Sequence, residues 1–183
     1  MVRIYGNRAL KTLSGLDTRP TTAQVREAIF NIWQGQIVGC RWLDLCCGCG
    51  SMGAEALCRG AALVVGIEQS RPACAVIQHN WRQVAQAKQT FQVLRGDVVQ
   101  QLKRLAGQQF DRIYFDPPYA SQLYGPVLAA ICQYQLLAAG GQLAVEHAKK
   151  TPLAPIGSPL ILGQTRTYGK TAVTFYASSA DGD

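Results

Sequence analysis

Short apolar runs alternate with amphipathic stretches along most of the chain. Five runs predict buried strands, at residues 41–45, 63–67, 91–94, 112–116 and 142–146. Helical periodicity fills the intervals, at residues 52–59, 70–81, 97–105 and 121–136. Strands that alternate with helices predict a mainly parallel sheet with helices on both faces. The pattern therefore indicates an α/β protein.

The two ends of the chain depart from this alternation. The first residues, 2–13, read as two short strands joined by a tight turn, which makes residues 1–20 a basic hairpin appendage. Near the other end, runs at 160–165 and 172–176 predict an antiparallel hairpin that closes one edge of the sheet. We expect the whole chain, 1–183, to form one domain.

Two local signals refine this outline. Thr21 and Gln24 form a capping box for a helix that precedes the first buried strand. The apolar positions of that helix are Val25, Ala28, Ile29, Ile32 and Trp33. Arg26 is expected to point away from this apolar face. Farther along, the pair Gly140-Gly141 predicts a turn before the strand at 142–146.

Composition narrows the class of protein. The chain has 183 residues, of which 48% are hydrophobic, enough for one sizeable core. It has no apolar run near the ~18 residues of a membrane span and no apolar signal segment at its start, so a cytoplasmic location is expected. Seven cysteines, three of them crowded at positions 46, 47 and 49, argue against a disulfide framework.

Charge is concentrated at the two ends of the chain. The formal charge is +7, with five Lys and Arg residues against one Asp in residues 1–26 and four against no acid in residues 147–180. If the ends share one face, that face attracts a polyanion, most economically a nucleic acid. The expected contacts are Arg8, Lys11, Arg19, Arg26 and Lys170. A merely solvated basic surface is the alternative.

The stretch with the clearest chemistry is Asp116-Pro117-Pro118-Tyr119, directly after an apolar strand. Neither proline offers a ladder N–H, so the strand ends there, at the edge where open α/β sheets bind ligands. The Asp116 carboxylate and the Pro117 carbonyl are acceptors for the hydrogens of an exocyclic amine, and the Tyr119 ring is a surface on which a base stacks. This corner predicts methyl or similar transfer to an aminopurine. A capped turn is the structural alternative.

A glycine-rich loop follows the first core strand. Gly48, Gly50 and Gly53 make a literal G-x-G-x-x-G between strand and helix, and Glu68 ends the next strand, so a dinucleotide site is one interpretation. Asp44, just before the loop, repels a pyrophosphate and attracts an ammonium. S-adenosylmethionine has that ammonium, with a ribose diol for Glu68 and an adenine to lie near Asp97.

Metal binding is not expected. Adjacent Cys46 and Cys47 do not supply the spacing of a four-ligand zinc site. His79 and His147 are isolated in the sequence, and each is interpreted as a surface or capping residue.

Three motifs together resemble the bacterial 16S ribosomal RNA guanine-N2 methyltransferases, a branch of the class I S-adenosylmethionine-dependent enzymes. Arg19-Pro20-Thr21-Thr22, followed by residues 25–31, is similar to that family's R-P-T-T-x-x-V-R-E-A-L-F-N signature. The stretch 43–61 matches its cofactor motif, and residues 116–119 match its catalytic motif. One departure is Cys46-Cys47-Gly48-Cys49-Gly50 where the family usually has Phe-Ala-Gly-Ser-Gly, which removes a serine hydroxyl and keeps both glycines.

The resemblance implies a Rossmann-like, seven-stranded, mainly parallel sheet with its last strand antiparallel. It also implies S-adenosylmethionine as cofactor and a guanine of 16S ribosomal RNA, free or in a small-subunit assembly particle, as target. The catalytic set is then 116–119, and the cofactor set is Asp44, Gly48, Gly50, Glu68 and Asp97. A monomer is expected.

Three other functions compete with this one. An adenine-N6 methyltransferase uses the same D-P-P-Y chemistry, although such DNA enzymes usually carry an added recognition domain. A nicotinamide-dependent dehydrogenase uses the same glycine loop, but Asp44 and D-P-P-Y argue against it. A non-catalytic RNA-binding or assembly module is the third alternative, and the intact motifs disfavour it.

Overall fold

The computed structural model describes residues 2–13, 22–151, 153, 156, 157 and 159–178. The strands are β1 (Val2–Ile4), β2 (Arg8–Leu10), β3 (Arg41–Leu45), β4 (Leu63–Glu68), β5 (Thr90–Arg95), β6 (Phe110–Phe115), β7 (Leu137–Ala148), β8 (Leu160–Tyr168) and β9 (Thr171–Ser178). The helices are α1 (Ala23–Ile32), α2 (Ser51–Cys58), α3 (Arg71–Val84), α4 (Val98–Arg104) and α5 (Tyr124–Gln133).

Seven strands form one sheet in the order β5-β4-β3-β6-β7-β9-β8. The first five of these run parallel, whereas β9 pairs antiparallel with both β7 and β8. The first two strands, β1 and β2, form a separate antiparallel hairpin. The predicted α/β architecture, with a mainly parallel sheet and its last strand antiparallel, is confirmed.

The sheet separates two apolar cores, because side chains alternate between its faces. On β3, Trp42 packs into one core, whereas Leu43 and Leu45 pack into the other. The first core also holds Trp33 and Trp81, both completely buried. With both faces covered, a ligand finds room at the edge where the parallel strands end.

The N-terminal hairpin is part of the first core, so the prediction of a mere appendage is wrong. Ile4 and Leu10 are 5% and 2% exposed and pack in that core. The buried Asn80 amide of α3 accepts from the Lys11 N–H at 2.9 Å and donates to the Lys11 carbonyl at 3.0 Å. These contacts fix the hairpin against α3.

Arg26 is buried, so the prediction that it points away from the core is wrong. Its side chain is 3% exposed, and Nε donates to Glu55 of α2 at 2.6 Å. A buried charge is tolerated when an opposite charge accompanies it. Glu55, itself 2% exposed, supplies that charge, and it lies 29 residues away in sequence.

Several boundaries differ from the predictions. The side chain that caps α1 is Thr22, which accepts from the Val25 N–H at 3.3 Å, and Thr21 lies outside the described residues. The pair Gly140-Gly141 lies inside β7, where pairing with β6 shifts register, rather than in a turn. Helix α5 is shorter at both ends than the periodicity indicates.

Across the described ranges, no helix is both long and apolar enough to cross a membrane.

Candidate active site

A cavity of about 610 Å³ opens where β3, β4 and β6 end. It has the size and position of a ligand site in an open α/β sheet. The predicted site residues that line it are Asp44, Gly48, Glu68, Asp97, Asp116, Pro117, Pro118 and Tyr119. The fold thus brings the expected cofactor residues and the D-P-P-Y corner into one space.

Asp44 is a buried carboxyl at the floor of this cavity. It is 1% exposed and accepts a hydrogen bond from the Gly53 N–H at 3.0 Å. Burial raises its pKa from 3.8 to about 7, the Gly53 N–H opposes this shift, and the charge of Glu68 adds to it. A cationic ligand group would favour the ionised carboxylate, as expected for an ammonium-binding residue.

The raised pKa of Asp44 predicts a pH-dependent stability. Since the unfolded carboxyl releases its proton near 3.8 and the folded one near 7, the folded state holds more protons between those values. The contribution of Asp44 is therefore fully present below about pH 4 and is lost as the pH rises through 7. The free energy of unfolding should therefore fall with pH in this range, by at most about 1.4 kcal/mol per pH unit, and we expect Asp44→Asn to reduce that fall.

The measurement is urea unfolding of wild type and Asp44→Asn between pH 4 and 8, with the difference between the two curves as the readout. Asp111→Asn is the matched control, because the hydrogen-bonded Arg41 lowers the pKa of Asp111. Its contribution to stability is present above the ordinary aspartate pKa of 3.8 and is lost only as the pH falls through the lower folded value, so Asp111→Asn should differ from wild type by a nearly constant amount between pH 4 and 8. Parallel curves for wild type and Asp44→Asn would contradict the assignment.

Glu68 organises the glycine loop. Its Oε2 accepts from the Gly48 N–H and its Oε1 from the Ser70 N–H, both at 2.9 Å. Gly48 has φ +57°, and a Cβ there would meet no atom within 4 Å, so the loop faces open space at this point. Glu68 thus holds the loop in shape while its carboxylate lines the cavity.

Gly50 is not among the residues that line the cavity, so its contact with the cofactor stays a prediction. It is buried, and its carbonyl accepts from the Trp81 indole N–H at 2.8 Å. A Cβ on Gly50, Gly53 or Gly66 would stand 2.8, 2.3 or 2.5 Å from the Trp81 ring. The glycine pattern therefore allows the tryptophan to pack under the loop, which sequence reasoning missed.

Two further residues lie on the cofactor side of the cavity. Asp97, at its predicted position beyond β5, lines the cavity, and its Oδ1 caps α4 by accepting from the Gln100 N–H at 3.0 Å. Cys46 also lines the cavity and has φ +62°. Burial and the surrounding carboxylates raise the pKa of the Cys46 thiol to about 12, so it is a neutral group near pH 7.

Tyr119 is anchored by its hydroxyl. The hydroxyl donates to Glu146 Oε1 at 2.8 Å and lies 2.8 Å from the hydroxyl of Thr171. The other oxygen of Glu146 accepts from the Tyr114 hydroxyl at 2.6 Å. With its hydroxyl engaged at one end, the half-buried Tyr119 presents its ring to the cavity.

Glu146 is a site residue to which sequence reasoning assigned no role. It is 5% exposed, it lines the cavity, and it carries the Tyr114 and Tyr119 hydrogen bonds. The signal was present, because it is an acid at the carboxyl end of a predicted parallel strand, as Asp116 and Glu68 are.

The predicted nucleic-acid contacts divide into three groups. Arg8, Lys11 and Lys170 are exposed. Lys11 precedes Thr12, which lines the cavity, and Lys170 precedes the threonine that holds Tyr119. Arg19 lies outside the described residues. Arg26 is buried against Glu55 and is withdrawn from the set, because its charge is already neutralised inside the fold.

Known proteins match the chain over nearly its whole length. The family model described as "Conserved hypothetical protein 95" matches residues 2–177. YlbH of Bacillus subtilis (strain 168), provisionally named as an rRNA methyltransferase, is 34% identical over 171 residues, which are 92% of each chain. Ribosomal RNA small subunit methyltransferase D of Escherichia coli (strain K12) is 28% identical, with 100% of this chain and 92% of that protein covered.

A solved structure has the same fold over nearly the whole chain. The Escherichia coli protein yhhF, provisionally named as a methyltransferase, superposes with a TM-score of 0.86 at 27% identity and covers 98% of this chain and 99% of its own. The matched span contains the cavity residues and the D-P-P-Y corner. The chain therefore belongs to the Conserved hypothetical protein 95 family, that of the ribosomal RNA small subunit methyltransferases D.

Proposed function

We propose that this protein transfers the methyl group of S-adenosylmethionine to the exocyclic N2 amine of a guanine in 16S ribosomal RNA. The observation that carries the proposal is the single cavity shared by the acidic cofactor residues and the D-P-P-Y corner. Support also comes from relatives named as methyltransferases of small-subunit ribosomal RNA.

The residues on one side of the cavity suit S-adenosylmethionine. Asp44, with its raised pKa, would take the ammonium group, Glu68 the ribose hydroxyls, and Asp97 the adenine side. Gly48 leaves the loop without a side chain at the point where it faces the cavity. When bound, the cofactor supplies a methyl group on a positively charged sulfur.

The residues on the other side suit a flat base that carries an amine. The ring of Tyr119 offers a stacking face, since Glu146 and Thr171 hold its hydroxyl. The carboxylate of Asp116 and the carbonyl of Pro117 would accept the two amine hydrogens and so favour a localised lone pair on nitrogen. Asp116 is placed to orient the amine or to receive its proton, and no covalent enzyme intermediate is required.

A base buried in a duplex does not reach such a corner, so the target nucleotide must be unpaired or flipped out. The exposed cations Arg8, Lys11 and Lys170 would hold the RNA phosphates around it. We further propose that the protein acts as a cytoplasmic monomer on 16S ribosomal RNA or on a small-subunit assembly particle.

The deciding experiment is mass analysis of ribosomal RNA nucleosides from cells with and without the gene, followed by restoration with purified protein and S-adenosylmethionine. Loss and recovery of N2-methylguanosine are the expected results. Loss of N6-methyladenosine would instead favour the adenine alternative. An unchanged nucleoside profile together with no transfer in vitro would contradict the function.

Removing the exposed cations Arg8, Lys11 and Lys170 is expected to weaken RNA binding in a salt-dependent way. In Arg8→Ala/Lys11→Ala/Lys170→Ala, fewer phosphates are neutralised and fewer counterions are released on binding. The slope of log affinity against log salt should therefore fall by roughly 0.7 to 0.9 for each phosphate that the variant no longer neutralises. The measurement is RNA affinity by fluorescence anisotropy across a salt series.

A control variant that loses three cations elsewhere on the surface tests whether the position of the charges matters. Lys88, Lys103 and Arg104 are exposed, and they lie before β5 and at the end of α4, away from the carboxyl ends of the strands. Their triple alanine variant should leave the slope much closer to that of wild type. Equal slopes for both triple variants would mean that Arg8, Lys11 and Lys170 are only solvated.

A further inference from the structure

A second cavity, of about 540 Å³, lies between the N-terminal hairpin and helices α1 and α2. Its lining includes Arg3, Tyr5, Asn7, Arg26, Asn31 and Arg59. Neither the cofactor nor the target amine uses any of these residues in the function proposed above. Aromatic and arginine side chains with amides are the residue types that bind single-stranded nucleic acid.

A stacked column leads from the core to this cavity. Trp42 and Phe30, both completely buried, stack at 5.2 Å with an angle of 10° between their rings. The guanidinium of Arg59 lies 4.9 Å from the Phe30 ring and 4.7 Å from the Tyr5 ring. Tyr5 ends the column and is 54% exposed. One face of the Tyr5 ring is thus covered by Arg59, while about half of the residue is open to solvent.

Hydrogen bonds hold both Arg59 and the hairpin turn that carries Tyr5 in place. Arg59 donates from Nε and Nη2 to Glu55 Oε1 at 3.1 and 2.8 Å, while Arg26 binds the other oxygen of the same carboxylate. On the hairpin, the Arg3 guanidinium donates to the carbonyl and to the side chain of Asn7, across the turn that carries Tyr5. An aromatic platform fixed in this way loses little conformational entropy when a base stacks on it.

Charge in this cavity favours an anionic ligand. Three guanidinium groups, those of Arg3, Arg26 and Arg59, and two carboxylates, those of Glu27 and Glu55, line it, so positive groups exceed negative ones by one. In the part of the chain that the structure describes, Arg26 Nη1 is buried and has no hydrogen-bond partner. A phosphate in this cavity therefore meets a lining with a small excess of positive charge.

The second cavity is a neighbour of the catalytic one. Thr22, the N-cap of α1, lines the catalytic cavity, whereas Arg26, one turn later, lines the second. On α2, Met52 lines the catalytic cavity and Glu55 the second. One helical turn advances by about 5.4 Å, so lining residues of the two cavities are neighbours at the starts of both helices.

We propose that Tyr5 is a stacking platform for an unpaired base of the substrate RNA, close in sequence to the methylated nucleotide. Arg59 supports the ring from behind, and the exposed Arg3 offers a donor for the backbone of the same nucleotide. The proposal rests on the proposed function, because it takes RNA as the substrate. It assigns recognition of the sequence around the target to the hairpin rather than to the D-P-P-Y corner.

The test compares Tyr5→Ala with Tyr5→Phe and Tyr5→Trp, using a 16S ribosomal RNA fragment that wild type methylates. We expect Tyr5→Ala to lower RNA affinity by about 5- to 150-fold, the range for loss of one base–aromatic stack, and the aromatic variants to keep it. The salt slope should not change, since every cation that neutralises a phosphate is still present. S-adenosylmethionine affinity and kcat at saturating RNA should also remain, so that the loss appears in KM.

Ile161→Ala is the matched control, because Ile161 is also 54% exposed and lies on β8. Should Tyr5→Ala not fold, Tyr5→Leu keeps an apolar contact without a ring and carries the same expectation. Wild-type RNA affinity in a folded Tyr5→Ala or Tyr5→Leu variant would overturn the platform alone. An absence of RNA methylation by wild type would overturn the proposed function, so the two failures are distinguishable.

Discussion

Asp116→Ala is expected to lower methyl transfer by at least about 10²- to 10³-fold, the usual cost of removing one group that stabilises developing charge. The affinity for S-adenosylmethionine should stay nearly unchanged. Cofactor affinity should not change because Asp116 belongs to the D-P-P-Y corner. The acidic residues assigned to the cofactor are Asp44, Glu68 and Asp97, on the other side of the cavity. Transfer of a labelled methyl group to ribosomal RNA measures the first effect, and calorimetry with the cofactor measures the second.

Asp116→Asn separates the two roles open to this carboxylate. The amide keeps one acceptor oxygen of similar shape but is a far weaker base. If Asp116 mainly orients the amine, the Asn variant should retain part of the rate with an unchanged pH profile. If it receives the proton, Asn should be as inactive as Ala. Equal loss of cofactor affinity in either variant would refute the assignment of Asp116 to the target base.

Glu68→Ala and Asp44→Ala are expected to weaken S-adenosylmethionine binding by about 1 to 3 kcal/mol each, which corresponds to roughly 5- to 150-fold. For Glu68 the loss has two sources, because the carboxylate both faces the cavity and holds the N–H groups of Gly48 and Ser70. Removing it therefore loosens the glycine loop in addition to deleting a ligand contact. Calorimetric titration of each variant gives the affinities.

Glu68→Gln distinguishes those two sources. It keeps an acceptor for one loop N–H and loses the negative charge, so its affinity should lie between those of wild type and Glu68→Ala. Glu27→Ala is the control, since Glu27 is an exposed acid on α1 that lines the second cavity rather than the first. Wild-type affinity in both Asp44→Ala and Glu68→Ala would place the cofactor elsewhere.

Local patterns in the sequence determined the fold class and most of the catalytic cavity. Apolar runs of strand length, separated by helical periodicity, leave one compact arrangement, a parallel sheet covered on both faces. In that arrangement the ends of neighbouring strands converge, so the positions of Asp44, Glu68 and Asp116 at strand ends are enough to predict a shared site. The D-P-P-Y corner is equally local, because two prolines end a strand wherever they occur.

Tertiary structure alone decided which polar residues are partners. The burial of Arg26 depends on Glu55, 29 residues later, and the orientation of Tyr119 depends on Glu146, 27 residues later. Neither pair has a periodic signal, since contacts between distant elements depend on how helices and strands are docked. In the sequence, Arg26 is indistinguishable from an exposed cation.

The docking of distant elements also decides the role of the N-terminal hairpin. Its two short strands are readable from the sequence, but Asn80 fixes them to α3 and Arg59 places Tyr5 above the core. A stack of Trp42, Phe30, Arg59 and Tyr5 joins four separate parts of the chain. Periodicity assigns each of these residues to its own segment, whereas only the packing of those segments places them in one column.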